Sequence, residues 1–341
     1  MARRYLPIVL FILATLLQAC GDDPVLPPAM PLAAEPAVIA RLHGAEPGAY
    51  DVTVIRDLVL SGTSDERDLQ LNLYFPANGT AFPLILFSHG NWSTKDSYDR
   101  VIEHWVSHGY AVVAANHLDC CSAVKGIFNS LRYGQLGLIQ GRIDDLSRLM
   151  DQIDQLERLA PAFAGKADAS RIAAAGHSFG AFSAQQLGGA RVFDPDQARY
   201  LSKRDGRINA VVALSPPGEM FDTITGGSWK TMEAPALVTT GTWDSEPRFW
   251  PDWRMHLLSF ETAIPGDKYA LVVDGADHYL GNLICRTQRE AAPQEDALRM
   301  VQLVTTAFLD AYLNGNAAAA ALLSDNRLEQ TTDGFATLSR R

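Results

Sequence analysis

Short β-rich runs alternate with amphipathic helical runs along most of this 341-residue chain. That alternation predicts an α/β domain whose central sheet is mostly parallel and covered by helices on both faces. Two further observations agree. Residues 84–87 and 110–115 are continuously apolar, as strands buried on both faces are. The side chains best suited to chemistry fall just after strand ends, where open parallel sheets bind their ligands.

The start of the chain stands apart. Arg3 and Arg4 precede an apolar stretch over 5–17 that is too short to span a bilayer comfortably, and Leu17-Gln18-Ala19-Cys20 closes it. Residues 1–20 therefore read as a signal peptide. Its end resembles a bacterial lipobox, which implies a lipid on Cys20 and membrane attachment through it. Gly21 in place of aspartate implies the outer membrane. Residues 21–49 read as an extended tether, with six prolines and seven alanines between 22 and 49. One large domain is expected over 50–313 and a C-terminal extension over 314–341.

Within the domain, 52–60 and 69–75 alternate well enough to be an antiparallel strand pair. The buried run 84–87 is followed by a helix over 98–107, stopped by Gly109, and by the strand 110–115. Residues 117–140 contain several glycines and read as irregular. Ile143, Leu146, Leu149, Ile153, Leu156 and Leu159 then recur at helical spacing, with the interleaved Asp and Arg as a solvated face. The strand 171–175 leads into Gly176-His177-Ser178-Phe179-Gly180 and the helix 181–187. Strands 208–214, 236–240 and 269–273 follow, with a helix near 252–263 and a closing helix over 297–313.

Strand, Gly-x-Ser-x-Gly, then helix is the setting in which that motif carries chemistry. The turn is so sharp that Gly176 and Gly180 must lack side chains. It lifts Ser178 clear of the sheet and leaves the Phe179 amide at a helix N-terminus, where an oxyanion would be stabilised. His177 reads as a packed supporting residue. Asp244 and His278 each follow a later strand. A serine hydroxyl is a weak nucleophile, so His278 is expected to take its proton and Asp244 to orient the imidazole. Glu219 and Asp222 are rival acids; Asp277, adjacent to His278, is expected to point away. The second oxyanion donor is expected from the loop Ser88-His89-Gly90-Asn91, at the Asn91 amide, with His89 structural. Trp92, Trp229 and Trp243 are candidate pocket residues and, with Trp250, would partly cover an open cleft, since neither 117–140 nor 215–235 is long enough for a large lid.

The 39 acidic and 29 basic residues give a net charge of −10, which argues against nucleic acid as a partner. No metal and no cofactor are expected: His89, His117 and Asp119 lie near strand ends without ligand spacing. An exported protein keeps disulfides. Cys120 and Cys121 follow one strand and Cys285 follows His278, on the same end of the sheet, so one bridge from Cys285 to Cys120 or Cys121 is expected.

The stretch from 82 to 117, with Ser-His-Gly and Gly-His-Ser-Phe-Gly, resembles the dienelactone-hydrolase-like branch of the α/β-hydrolases, which includes cutinase-type polyester hydrolases and platelet-activating-factor acetylhydrolases. The similarity covers roughly 50–313, and the order Ser178, Asp244, His278 is that of the superfamily. The resemblance implies the α/β-hydrolase fold and serine carboxylesterase chemistry on short- or medium-chain acyl esters or lipid esters. Ser215-Pro216-Pro217 stands where the acetylhydrolases place their acid, so the acid falls to Asp244. Ser178 replaces the cysteine nucleophile of dienelactone hydrolase. An amidase or peptidase on the same scaffold, and a catalytically silent surface lipoprotein that binds partners, are the competing readings.

Overall fold

The computed structural model describes residues 27–63 and 66–341; the leader-like segment and Cys20 lie outside the described residues. β1 (Val52–Leu60) and β2 (Leu69–Pro76) form the expected antiparallel pair. β3 (Phe82–Ser88), β4 (Ala111–Ala115), β5 (Ala167–His177), β8 (Ile208–Leu214), β9 (Ala236–Gly241) and β10 (Lys268–Val273) pair in parallel. β11 (Ala336–Arg340) closes the far edge antiparallel to β10. Among the described residues one nine-stranded sheet runs β1-β2-β4-β3-β5-β8-β9-β10-β11. This is the α/β-hydrolase arrangement that the motifs imply.

Alternation along β3 shows how both faces are used. Ile85 and Phe87 pack under α2 (Asp99–Ser107) and α7 (Glu295–Leu313), against Val101, Trp105, Val304 and Phe308. Leu84 and Leu86 pack on the other face under α3 (Ala123–Asp151) and α5 (Phe179–Leu187), against Ile143, Leu146 and Phe182. From β3 the chain turns one way to β4 and then crosses to β5 on the other side. The crevice beyond the ends of β3 and β5 is therefore the topological switch point, where such sheets bind ligands.

Several features depart from the sequence reading. Residues 123–140 are helical, not irregular: α3 starts at Ser122, whose Oγ accepts the Lys125 N–H, and breaks only at Gly134 (φ 67°, ψ 170°). Gly126 serves packing, since a Cβ there would lie 1.9 Å from Trp92 Cδ1. The charged residues of this helix are not all solvated, because Arg142, Asp145 and Arg148 are buried. A short α4 (Ile153–Leu159) follows, and Leu159 at the end of the apolar stripe is exposed. The segment after 313 is part of the sheet: α8 (Ala317–Ser324) and α9 (Arg327–Thr331) lead into β11. At the other end, α1 (Pro36–Ile39) and Leu42 pack into the core, so the tether docks before the domain begins. A hairpin of β6 (Arg191–Asp194) and β7 (Arg199–Ser202) was not foreseen. A 3-10 turn (Trp253–Leu257) and α6 (Leu258–Thr262) occupy the region near 252–263.

Candidate active site

Ser178 joins β5 to α5 with φ 53° and ψ −122°. That backbone is costly for a residue with a Cβ. The Ser178 N–H donates to Leu214 O at 2.8 Å, which anchors the turn to β8. A Cβ on Gly176 would lie 2.4 Å from the Gly180 backbone, and one on Gly180 would lie 2.0 Å from Ser88 O. The two glycines thus let α5 start directly against the loop after β3, which carries Gly90 and Asn91. Phe179 opens α5, in its first turn, where amide hydrogens lack helical partners.

Asp244 lies fully buried after β9. Its Oδ2 accepts Thr240 Oγ1 at 3.1 Å, and its Oδ1 lies 2.8 Å from His278 Nδ1. The carboxylate accepts, so Nδ1 of His278 carries the proton and Nε2 is left free to accept one. Burial disfavours the Asp244 charge, but the imidazoles of His256 and His278 outweigh it and hold the carboxyl well below its ordinary range. Trp250 covers the His278 ring at 4.8 Å between centroids. Asp277 turns away, accepting the N–H groups of Tyr279 and Gly281 and pairing with Arg289. Glu219 accepts the Gly226 N–H in its own loop.

His177 is packed, with fixed partners. Its Nε2 donates to His278 O at 2.9 Å, so its Nδ1 accepts from Tyr98 Oη at 3.1 Å. Tyr98 Oη in turn accepts the Gly90 N–H at 2.8 Å. One chain of hydrogen bonds therefore fastens the β3 loop to the backbone of the His278 loop. Burial keeps His177 neutral by driving its pKa well down.

A second buried network holds the loop from the opposite side. Arg142 pairs with Asp119 at 2.6 Å and donates to His89 O at 2.6 Å and to Ser88 Oγ at 3.1 Å. His117 bridges Ser88 Oγ at 2.9 Å and Asp145 Oδ2 at 2.8 Å, and Arg67 pairs with the same carboxylate. His89 donates from Nδ1 to Gly90 O and accepts the His117 N–H at Nε2. Burial, with Arg142 close by, lowers the pKa of both His89 and His117.

The aromatic candidates separate. Trp92 lines an open cleft of 420 Å³ with Ser97, Tyr279, Cys285 and Arg286. Trp229 is core rather than pocket: it is fully buried against Phe182, and its Nε1 donates to Gln185 Oε1 at 2.8 Å. Trp243 is half-buried on the loop before Asp244, with its backbone N–H donating to Ala276 O at 3.0 Å. The disulfide expectation is corrected. Cys120 is bonded to its neighbour Cys121, and Cys285 is a buried free thiol. The Cys121 N–H binds Ser93 O and the Cys285 N–H binds Ser97 O. The two segments do converge, but on opposite ends of the 93–97 loop.

Three residues at the site were not singled out from sequence: His256, Tyr98 and Arg142. His256 and Arg142 sit in helical stretches with no flanking motif. Asp244, His256 and His278 are the group among the described residues whose donor atoms all fall within 4.8 Å of one another, as a metal site requires. The contacts of both rings with the Asp244 carboxylate account for that closeness.

A family model described as Chlorophyllase matches residues 45–191. Cutinase est2 of Thermobifida alba is 25% identical over 217 residues, which cover 63% of this chain and 59% of the cutinase. The chain thus spans less than two thirds of that relative's length. Among solved structures, a ferulic acid esterase from Streptomyces cinnamoneus superposes with a TM-score of 0.59 at 17% identity. That match covers 87% of this chain and 99% of the esterase, and it is a likeness of fold.

Proposed function

We propose, from the premise that the chain belongs to the α/β-hydrolase superfamily, that it is a serine carboxylic ester hydrolase working through an acyl-enzyme on Ser178. The observation that carries this reading is the pairing of a left-handed serine turn with a buried Asp244–His278 dyad joined through Nδ1. His278 takes the Ser178 proton as the hydroxyl attacks the ester carbonyl, then returns it to the leaving alcohol. Asp244 holds the imidazole in that tautomer and offsets its charge. The Phe179 and Asn91 amides are the oxyanion donors. Water, activated by the same histidine, releases the acid.

The similarity to a cutinase and, in fold, to a ferulic acid esterase supports carboxylic ester substrates. Short- or medium-chain acyl esters and lipid esters are the proposed substrates. The lipobox-like Leu17-Gln18-Ala19-Cys20 would anchor the enzyme to the outer membrane of a bacterial envelope. Incorporation of a clickable palmitate that disappears in Cys20→Ala tests the anchor.

The catalytic reading is tested by fluorophosphonate labelling and peptide mapping. Modification confined to Ser178, and lost in His278→Ala, is expected, together with loss of p-nitrophenyl ester turnover in Ser178→Ala. Turnover that survives in Ser178→Ala overturns the mechanism. Parallel ester and anilide substrates separate it from an amidase.

A further inference from the structure

Asp244 serves two imidazoles, and only one of them belongs to the proposed catalytic set. His256, buried on the 3-10 turn Trp253–Leu257, reaches the same oxygen as His278: its Nε2 lies 2.9 Å from Asp244 Oδ1. Its other nitrogen, Nδ1, lies 2.7 Å from the carbonyl oxygen of Pro216. A carbonyl can only accept, so Nδ1 carries a proton. A neutral ring protonated there would leave an unprotonated nitrogen 2.9 Å from a carboxylate oxygen, a repulsive contact whatever its angle. Nε2 must therefore carry a proton as well.

We propose that His256 is a standing imidazolium, a positioning residue that neutralises part of the Asp244 charge and so lowers the proton affinity of His278. This rests on the ester-hydrolase reading above. The consequence is that His278 stays unprotonated, and able to act as a base, at lower pH than a lone Asp–His pair would allow.

The Nε2 contact lies off the line of a straight hydrogen bond, so its weight is chiefly electrostatic. Burial opposes a charge on His256, but the Asp244 carboxylate more than compensates, and the pKa is raised. The other groups around the ring do not cancel it. His278 lies 5.6 Å away between centroids and Trp250 lies 5.8 Å away. His177, on β5, is held neutral by burial. Asp252 and Arg254, on the same turn, pair with each other at the surface. A unit charge about 6 Å from His278, at an effective dielectric constant of about 20, is enough to displace the acid limb of a pH–rate profile by about one to two pH units.

Two readouts test the proposal. The first is the ring ¹H–¹⁵N spectrum of the full chain labelled in histidine, with His256 assigned through its through-space contacts to the Trp250 and His278 rings. Both ring nitrogens of His256 are expected to stay protonated while His278 titrates. A His256 with one protonated nitrogen at neutral pH overturns the proposal, and this spectrum decides even where the variant fails to fold. The second is the pH profile of kcat/KM on p-nitrophenyl butyrate. Glutamine keeps an N–H toward Asp244 but has no charge. Its acid limb is expected to move up by about one to two pH units with KM at the plateau unchanged. An unmoved acid limb in a variant that melts like the parent also overturns the proposal. A parent enzyme that neither turns over esters nor labels at Ser178 defeats the hydrolase reading instead, and the spectrum still reports the charge of His256.

Discussion

Replacing Ser178 separates strain from chemistry. Its φ of 53° and ψ of −122° hold a Cβ where L-residues rarely go, and its side chain makes no capping hydrogen bond to α5. Such a residue costs about 1–3 kcal/mol, held in place by the surrounding structure. Ser178→Ala removes the nucleophile but keeps the Cβ, so it keeps the strain. Ser178→Gly removes both, and gives back about 0.5–1 kcal/mol through the greater freedom of glycine in the unfolded chain. The glycine variant should therefore be about 1 kcal/mol more stable than the alanine variant, or roughly 2 °C in Tm for a domain of this size. Neither variant should turn over esters. Urea melts of both, followed by fluorescence and by circular dichroism, give the difference directly. A glycine variant equal to or less stable than the alanine variant would mean that the turn is unstrained and that the argument from backbone geometry is wrong.

Acid should unfold this domain early. His89, His117 and His177 are buried with their pKa values driven down by burial, so the unfolded chain binds protons that the folded one cannot. Stability from these groups is present above about pH 6.5 and lost below it, at about 2 kcal/mol each by pH 5. Asp145, pushed up to about 6 by burial, acts in the opposite sense by about 1 kcal/mol, and the raised His256 also opposes the loss. A net fall of a few kcal/mol between pH 7.5 and 5 is expected in urea denaturation; equal stability at both would refute it. Arg142→Met should cost about 3–5 kcal/mol by leaving Asp119 charged and buried. Adding Asp119→Leu should recover much of that in the same melts, while kcat stays low because Ser88 and His89 have lost their donor.

The sheet was legible because each strand shows its own environment. Continuous apolar runs mark strands covered on both faces, and alternation marks the β1–β2 edge. The serine turn was legible because its geometry forbids side chains at two positions, and glycine is visible in a sequence. Asp244 and His278 stood out by falling after strand ends. β11 was not legible: Ala336–Arg340 is an edge strand with mostly half-buried or exposed residues and carries no apolar run. Asp145 and Arg148 were placed on a solvated face, and Arg142 just before them was passed over, because helical periodicity reports only which side is apolar. Their burial is decided by partners far along the chain: Asp119 and His89 for Arg142, Arg67 and His117 for Asp145. His256 was hidden for the same reason, since its partners, Pro216 and Asp244, come from two other loops.

Arg142 and Tyr98, both unforeseen, share one task, and the task explains why they are buried at all. A buried ion pair such as Arg142–Asp119 adds little net stability compared with apolar residues of the same volume. Here Arg142 spends its remaining donors on Ser88 and His89, while the Tyr98–His177 chain holds the Gly90 amide from the other side. The loop that would present the Asn91 amide to an oxyanion is thus clamped by two independent networks. Donors that stabilise developing charge are effective only when already in position, because moving them during the reaction would consume what they contribute. A packed apolar surface would cover the loop but would not fix the direction of its amides. Directional hydrogen bonds do, which is why polar groups sit beneath this loop although burial works against them.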